Sequence, residues 1–161
     1  MLLTATWGRI VEIAAEPAFA QAVTEMRGRL EKSNRYARSF KLARGGFYDI
    51  DFLASFLMLH QASPLHGNTL DRLQRLRELD AIDQPTFEEL NQAALLYRTA
   101  DHVIRLVTGR ARPELPEAQH ARAAVEKLVN RILTREENND LQGELERTAQ
   151  RIRAIFERII R

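Results

Sequence analysis

The chain has 161 residues, enough for one domain with a real core because 45% of them are hydrophobic. It contains no cysteine, which excludes disulfides, zinc–thiolate centres and thiol nucleophiles together and fits a reducing cytoplasm. Its 24 basic and 22 acidic residues leave a net charge of +2 and interleave rather than form blocks, the pattern of solvated helix faces and not of a nucleic-acid-binding surface.

Seven Gly and five Pro leave little room for the tight turns of an all-β domain. Ala, Leu, Glu, Arg and Gln, which lose least on entering a helix, dominate instead. The expected fold is all-α: one helical bundle domain over residues 1–161, with about six to seven helices and a long C-terminal one. The opening MLLTATWG has neither a basic n-region nor a sustained apolar stretch, so it does not read as an export signal. The longest apolar run, Phe52 to Leu59, is too short to span a bilayer, and no membrane partner is expected.

In chain order, Thr4 to Ala15 reads as a first helix and Pro17 to about Lys32 as a second, with Pro17 at a first-turn position that has no use for an N–H. Phe19, Val23, Met26 and Leu30 recur at helical spacing and are expected to face a core. Ser33-Asn34 punctuates the chain before Tyr36 and Phe40, and Gly45-Gly46 breaks it again. Phe52, Leu53, Phe56, Leu57 and His60 then form one stripe of a helix ending near Gln61. After SPLHGN, Thr69 to Leu79 carries Leu70, Leu73, Leu76 and Leu79 on one side.

Asp83 before Pro85 starts the next helix, since a carboxylate acceptor ahead of Pro suits a helix N-terminus. That helix runs to Thr108 and buries Ala93, Leu96, Tyr97, Ala100, Val103, Ile104 and Val107, with Gly109 as its end. RARPELP is a loop, Glu117 to Leu133 a further helix, and Asn138-Asn139-Asp140 the cap of the last. In the last helix Leu141, Leu145, Thr148, Ile152, Ile155 and Ile159 alternate by fours and threes, a seam expected to pack on the body of the domain.

The stretch ARGGFYDIDF, Ala43 to Phe52, carries the most chemistry. A Gly-rich turn followed by Asp-x-Asp outlines a metal-dependent nucleotidyl transfer site, where two carboxylates converge on Mg²⁺ from one strand. Here the context is helical. At about 100° per residue Asp49 and Asp51 diverge by about 200° and do not chelate one ion side by side. A helix start explains the pattern instead: Gly45-Gly46 permits a sharp turn, and Asp49 or Asp51 satisfies free N–H groups and complements the helix dipole. The same geometry can hold a phosphate through backbone N–H groups, helped by Lys41 and Arg44.

Elsewhere, His60, His66, His102 and His120 lack the i, i+4 spacing of a helical zinc site. Asp101 lies within helical reach of Arg98 and Arg105 and reads as an ion-paired face. Trp7 and Tyr97 read as core aromatics. Nucleophile elbow, Walker loop and dinucleotide fingerprint are all missing, so no catalytic residue and no metal ligand is assigned in this chain.

The segment FKLARGGFYDIDFLASFLMLH, Phe40 to His60, resembles the Lys-Leu-x-Arg-Gly-Gly-x-x-Asp-Ile-Glu-Phe signature of bacterial glutamine synthetase adenylyltransferases, bifunctional enzymes that attach and remove AMP on glutamine synthetase. Asn68-Thr69-Leu70, Tyr97-Arg98, Asp101 to Leu106 and Leu115-Pro116 are similar to further family segments, so the resemblance runs from about Ala15 to the C-terminus. The uridylyltransferases that modify the nitrogen-regulatory P-II protein carry a related Gly-Gly-Leu-Arg-Asp.

The resemblance implies a helical regulatory or substrate-positioning domain that follows a nucleotidyltransferase domain, with Met1 to Ala15 as the tail of the boundary. It places the metal-binding Asp-x-Asp, ATP and Mg²⁺ in the upstream domain and leaves this chain inactive alone. It makes Lys41, Arg44, Gly45, Gly46, Asp49 and Asp51 a contact-bearing turn at the domain junction. The implied partners are the catalytic domain, glutamine synthetase or another protein substrate, and the P-II protein, all in the cytoplasm. The departures are Asp51 for Glu, Ala54-Ser55 for an apolar residue and Gln, Phe47-Tyr48 for Ile-Arg or Leu-Arg, and Asp101 for Glu. They admit a diverged paralogue with another target. Two alternatives stand beside this reading: the helical domain of a P-II uridylyltransferase-like protein, and a free-standing helical interaction module.

Overall fold

The computed structural model describes residues 2–33, 35, 38–136 and 140–160, with residues 2–5 as backbone only. Among them are seven α-helices and no strand: α1 (Leu2–Ala14), α2 (Pro17–Ser33), α3 (Phe47–His60), α4 (Thr69–Glu78), α5 (Gln84–Thr108), α6 (Gln119–Ile132) and α7 (Leu141–Ile159). The all-α expectation therefore holds. The expected punctuation at Asn34 and Tyr36 and the Asn138-Asn139 part of the last cap lie outside the described residues.

Local chemistry sets the ends. Asp83 accepts from the Thr86 N–H at 2.9 Å and Asp140 from the Gly143 N–H at 3.1 Å, each at the start of a helix. Asn68 and Asp71 form a reciprocal capping box on α4. Gly109 closes α5 in the left-handed conformation, φ +67°, with its N–H on the Arg105 carbonyl.

Helix α3 is the hub, packed against α1, α2, α4, α5 and α7, while α6 leans on α5. A helix surrounded on so many sides is apolar nearly all round. Ile50, Leu53, Ala54, Phe56 and Met58 are buried, Phe52 and Leu57 only partly, and His60 is exposed beside the Phe56 ring. The single stripe expected from Phe52 to His60 is thus replaced by burial on several faces. Helix α7 follows its pattern closely, with Leu141, Leu145, Thr148, Ile152 and Ile155 all buried against α3 and α5. Each of its fully buried large side chains contributes about 1.5–3 kcal/mol.

Helix α2 departs most from expectation. Phe19, Val23 and Leu30 are only half-buried, and Met26 is 51% exposed. The deeply buried residue on that helix is Arg27, whose fixed neighbours, described below, draw its face inward. Trp7, expected in the core, is half-buried, because α1 lies at the edge of the bundle.

Candidate functional site

The turn between α2 and α3 is held by a network of side chains from four helices. Arg27 of α2 donates from Nε to Asp49 Oδ1 at 2.5 Å and from Nη2 to the carbonyls of Leu42 and Ala43 at 3.0 and 2.9 Å. Asp49 Oδ2 accepts from the Gly45 N–H at 2.9 Å. Tyr97 of α5 donates its hydroxyl to the Gly45 carbonyl at 2.8 Å. Burial pushes the Tyr97 phenol well above its ordinary pKa, and the nearby Asp49 charge adds to the shift. Arg153 of α7 joins from the far side, 3.3 Å from Asp49 and 2.6 Å from Glu31. Burial works against the Arg153 charge, but the Glu157 hydrogen bond and the Asp49 and Glu31 carboxylates outweigh it and raise its pKa.

Both glycines answer to close backbone approach. Gly45 sits at φ +77°, and a Cβ there would lie 1.8 Å from the Ala149 carbonyl oxygen of α7. Gly46 has an ordinary φ of −76°, yet a Cβ would lie 2.8 Å from the Lys41 carbonyl oxygen and 2.9 Å from that of Ala43. The N–H groups of the turn are largely engaged internally. Lys41 and Leu42 donate to Ser39 Oγ, Ala43 to the Ser39 carbonyl, Gly46 to Ala43, Phe47 to Phe40 and Tyr48 to Lys41. These N–H groups are taken, which leaves a ligand the side chains of the turn and its remaining backbone groups.

Those side chains leave the turn on two faces. Lys41 pairs with Asp101 of α5 at 2.7 Å, and Asp101 also meets Arg105 at 3.1 Å. Arg44 pairs with Glu157 of α7 at 2.5 Å, and Glu157 also accepts from Arg153 at 2.7 Å. The Arg153 and Arg44 hydrogen bonds hold the Glu157 carboxyl below its ordinary pKa. Asp49 and Asp51 part likewise. Asp51 faces α4, accepting from Thr69 Oγ1 at 2.6 Å and standing 3.4 Å from Arg72. Asp49 takes an N–H just outside the helix, while Asp51 is bound by side chains of α4, so neither acts as the N-cap; that position is Gly46, without a side-chain cap. The two carboxylates do not converge, and among the described residues no three His, Asp or Glu cluster to hold a metal ion. These residues do not fit the Mg²⁺ of nucleotidyl transfer.

On the Lys41 face lies a cleft of about 380 Å³, lined by Lys41, Phe47, Tyr48, Asn68, Thr69, Arg72, Tyr97, Arg98, Asp101 and His102. Of the six site residues read from the sequence, only Lys41 lines it. Arg44 and Gly46 line a second cleft of about 360 Å³ against α7, together with Arg38, Leu115 and Gln142. Arg72 and Arg98 are not among the site residues that the sequence marks. The signal available for Arg98 was the Tyr97-Arg98 segment of the resemblance, while nothing in the local sequence marks Arg72. The first cleft gathers the separated resembling segments, Lys41, Asn68-Thr69, Tyr97-Arg98 and Asp101-His102, at one place.

The model of the GlnD PII-uridylyltransferase family matches residues 18–160. The chain is also similar to proteins named bifunctional glutamine synthetase adenylyltransferase/adenylyl-removing enzyme. One from Rhodopseudomonas palustris strain TIE-1 is 34% identical over 148 residues, covering 88% of this chain and 14% of the relative. One from strain HaA2 is 31% identical over 152 residues, covering 90% and 15%. One from Bradyrhizobium diazoefficiens is 29% identical over 153 residues, covering 90% and 15%. The chain thus spans about one seventh of the length of these relatives.

Proposed function

We propose, from the premise that this chain belongs to the GlnD PII-uridylyltransferase family, that it is the helical regulatory or substrate-positioning domain of a glutamine synthetase adenylyltransferase-like protein. The observation that carries the reading is the similarity to adenylyltransferases along about 90% of this chain. In the intact protein a separate nucleotidyltransferase domain transfers AMP from ATP to a tyrosine of glutamine synthetase, using Mg²⁺, and the same protein removes it. The helical domain orients that domain and receives its partners, the P-II protein among them. The setting is cytoplasmic, and among the described residues no helix is long and apolar enough to cross a membrane.

In this role the turn built from Lys41, Arg44, Gly45, Gly46, Asp49 and Asp51 is the domain junction. Its backbone is locked by Arg27, Tyr97 and the α7 approach at Gly45, which supports a rigid contact surface. Lys41 and Arg44 emerge toward different helices, α5 and α7, and serve different neighbours. The family name favours a second reading, in which the parent transfers UMP to the P-II protein.

The test uses the full-length protein with ATP, Mg²⁺ and glutamine synthetase in one reaction, and with UTP, Mg²⁺ and P-II protein in another. Mass spectrometry should find an AMP adduct on a synthetase tyrosine in the first. A UMP adduct on P-II alone would establish the second reading, and an adduct on neither substrate would sink both. The 161-residue chain by itself should yield no adduct; if it did, assignment of the chemistry to a separate domain would be wrong.

A further inference from the structure

The cleft on the Lys41 face holds more positive charge than its carboxylates neutralise. Lys41, Arg72 and Arg98 reach it from the turn, α4 and α5. Counting the ion-pair partners of its lining, Arg105 on Asp101 and Asp51 on Arg72, four cations meet two carboxylates. Arg98 is half-buried and meets only the Asn68 side-chain oxygen, at 3.3 Å; no carboxylate lies within ion-pair distance of it among the described residues. Arg72 is only 18% exposed, and among the described residues its one close acceptor is Ser55 Oγ at 2.7 Å, with Asp51 at 3.4 Å and the Gly67 carbonyl at 3.5 Å. A guanidinium withdrawn from water without a full set of acceptors is costly unless an anion supplies them. The Tyr48 ring, 37% exposed, stands at the rim of the same cleft.

We propose that this cleft is a binding site for a small phosphomonoester, held by Arg98, Arg72 and Lys41 with Tyr48 against the organic part. A dianion with both charges on one group matches the surplus of two positive charges better than a monocarboxylate, or a dicarboxylate with its charges apart, does, and the fork of Arg98 suits two phosphate oxygens. The proposal does not rest on the transfer reaction proposed above and is tested without it.

The experiment is calorimetric titration of the 161-residue chain at low ionic strength with inorganic phosphate, AMP, adenosine and succinate. Inorganic phosphate and AMP should bind, AMP more tightly, and adenosine and succinate should not. Arg98→Gln should weaken AMP binding about tenfold or more, the loss of a charge-assisted bond pair. Tyr48→Ala should weaken AMP but not inorganic phosphate. Arg9→Gln, an exposed cation of α1 outside the cleft, should leave both unchanged. The assignment fails if neither phosphate binds, if succinate binds as well as phosphate, or if Arg98→Gln and Arg9→Gln have equal effects. Circular dichroism of each variant separates loss of binding from loss of fold. The adduct experiment above is independent of all these outcomes.

Discussion

Arg27 and Asp49, twenty-two residues apart in the chain, form a 2.5 Å ion pair in which both side chains are wholly withdrawn from solvent. The pair joins α2 to α3 and satisfies the carbonyls and an N–H of the intervening turn. Removing one partner strands the other charge in the interior.

Arg27→Met and Asp49→Leu should each therefore destabilise the fold by about 3–5 kcal/mol. Urea denaturation followed by circular dichroism measures this, and the melting temperature should fall by roughly 10 °C. The double variant should lose less than the sum, because no unpaired charge remains. Additive losses would mean that the two side chains act independently.

Gly45→Ala should cost about 2 kcal/mol or more, since the new methyl group collides with the α7 backbone as well as occupying a left-handed φ. Gly109→Ala shares the positive φ but meets nothing within 4 Å, so its cost should stay near 1 kcal/mol. Comparing the two unfolding free energies separates conformational strain from collision. Equal costs would remove the close approach of the turn to α7 as an explanation.

Tyr97→Phe leaves the Gly45 carbonyl without its hydroxyl donor and should cost about 1–2 kcal/mol at neutral pH. The folded-state pKa of Tyr97 lies above the unfolded value near 10, so the native chain keeps a proton that the unfolded chain gives up. Its contribution is fully present below about pH 10 and is lost as pH rises toward the folded pKa. Alkaline denaturation should be shallower in Tyr97→Phe than in the parent chain, and absorbance titration at the phenolate band should show one tyrosine ionising only with unfolding. A tyrosine set that titrates completely in the native state would contradict the buried bond.

Asp83 presents the opposite sign. The Thr86 side-chain and backbone hydrogen bonds lower its pKa, so its support for α5 is present above the unfolded value near 3.9 and is lost as pH falls through the folded one. Asp83→Asn keeps an acceptor for the Thr86 N–H but cannot titrate. It should flatten the acid limb of the stability profile while changing the melting temperature little at pH 7. An unaltered acid limb would show that other carboxylates set it.

The helices themselves were legible because their determinants are local. Pro17, the Asp83 acceptor, Gly109 and the four-three spacing of α7 act within one or two turns, and each helix lies within a few residues of its expected bounds. The glycine pair also read correctly as a sharp turn. Periodicity, however, reports only that a face is apolar, not what covers it. On α2 it pointed to Met26, which is exposed, and missed Arg27, whose burial depends on Asp49 and on carbonyls arriving from another segment. The same limit governs the cleft. The sequence by itself determined the helices, the turn and the family signature; only the tertiary structure decided that Lys41 and Arg44 part, and that Lys41 meets Arg72 and Arg98, because packing α3 between α4, α5 and α7 brings together charges that no local spacing connects.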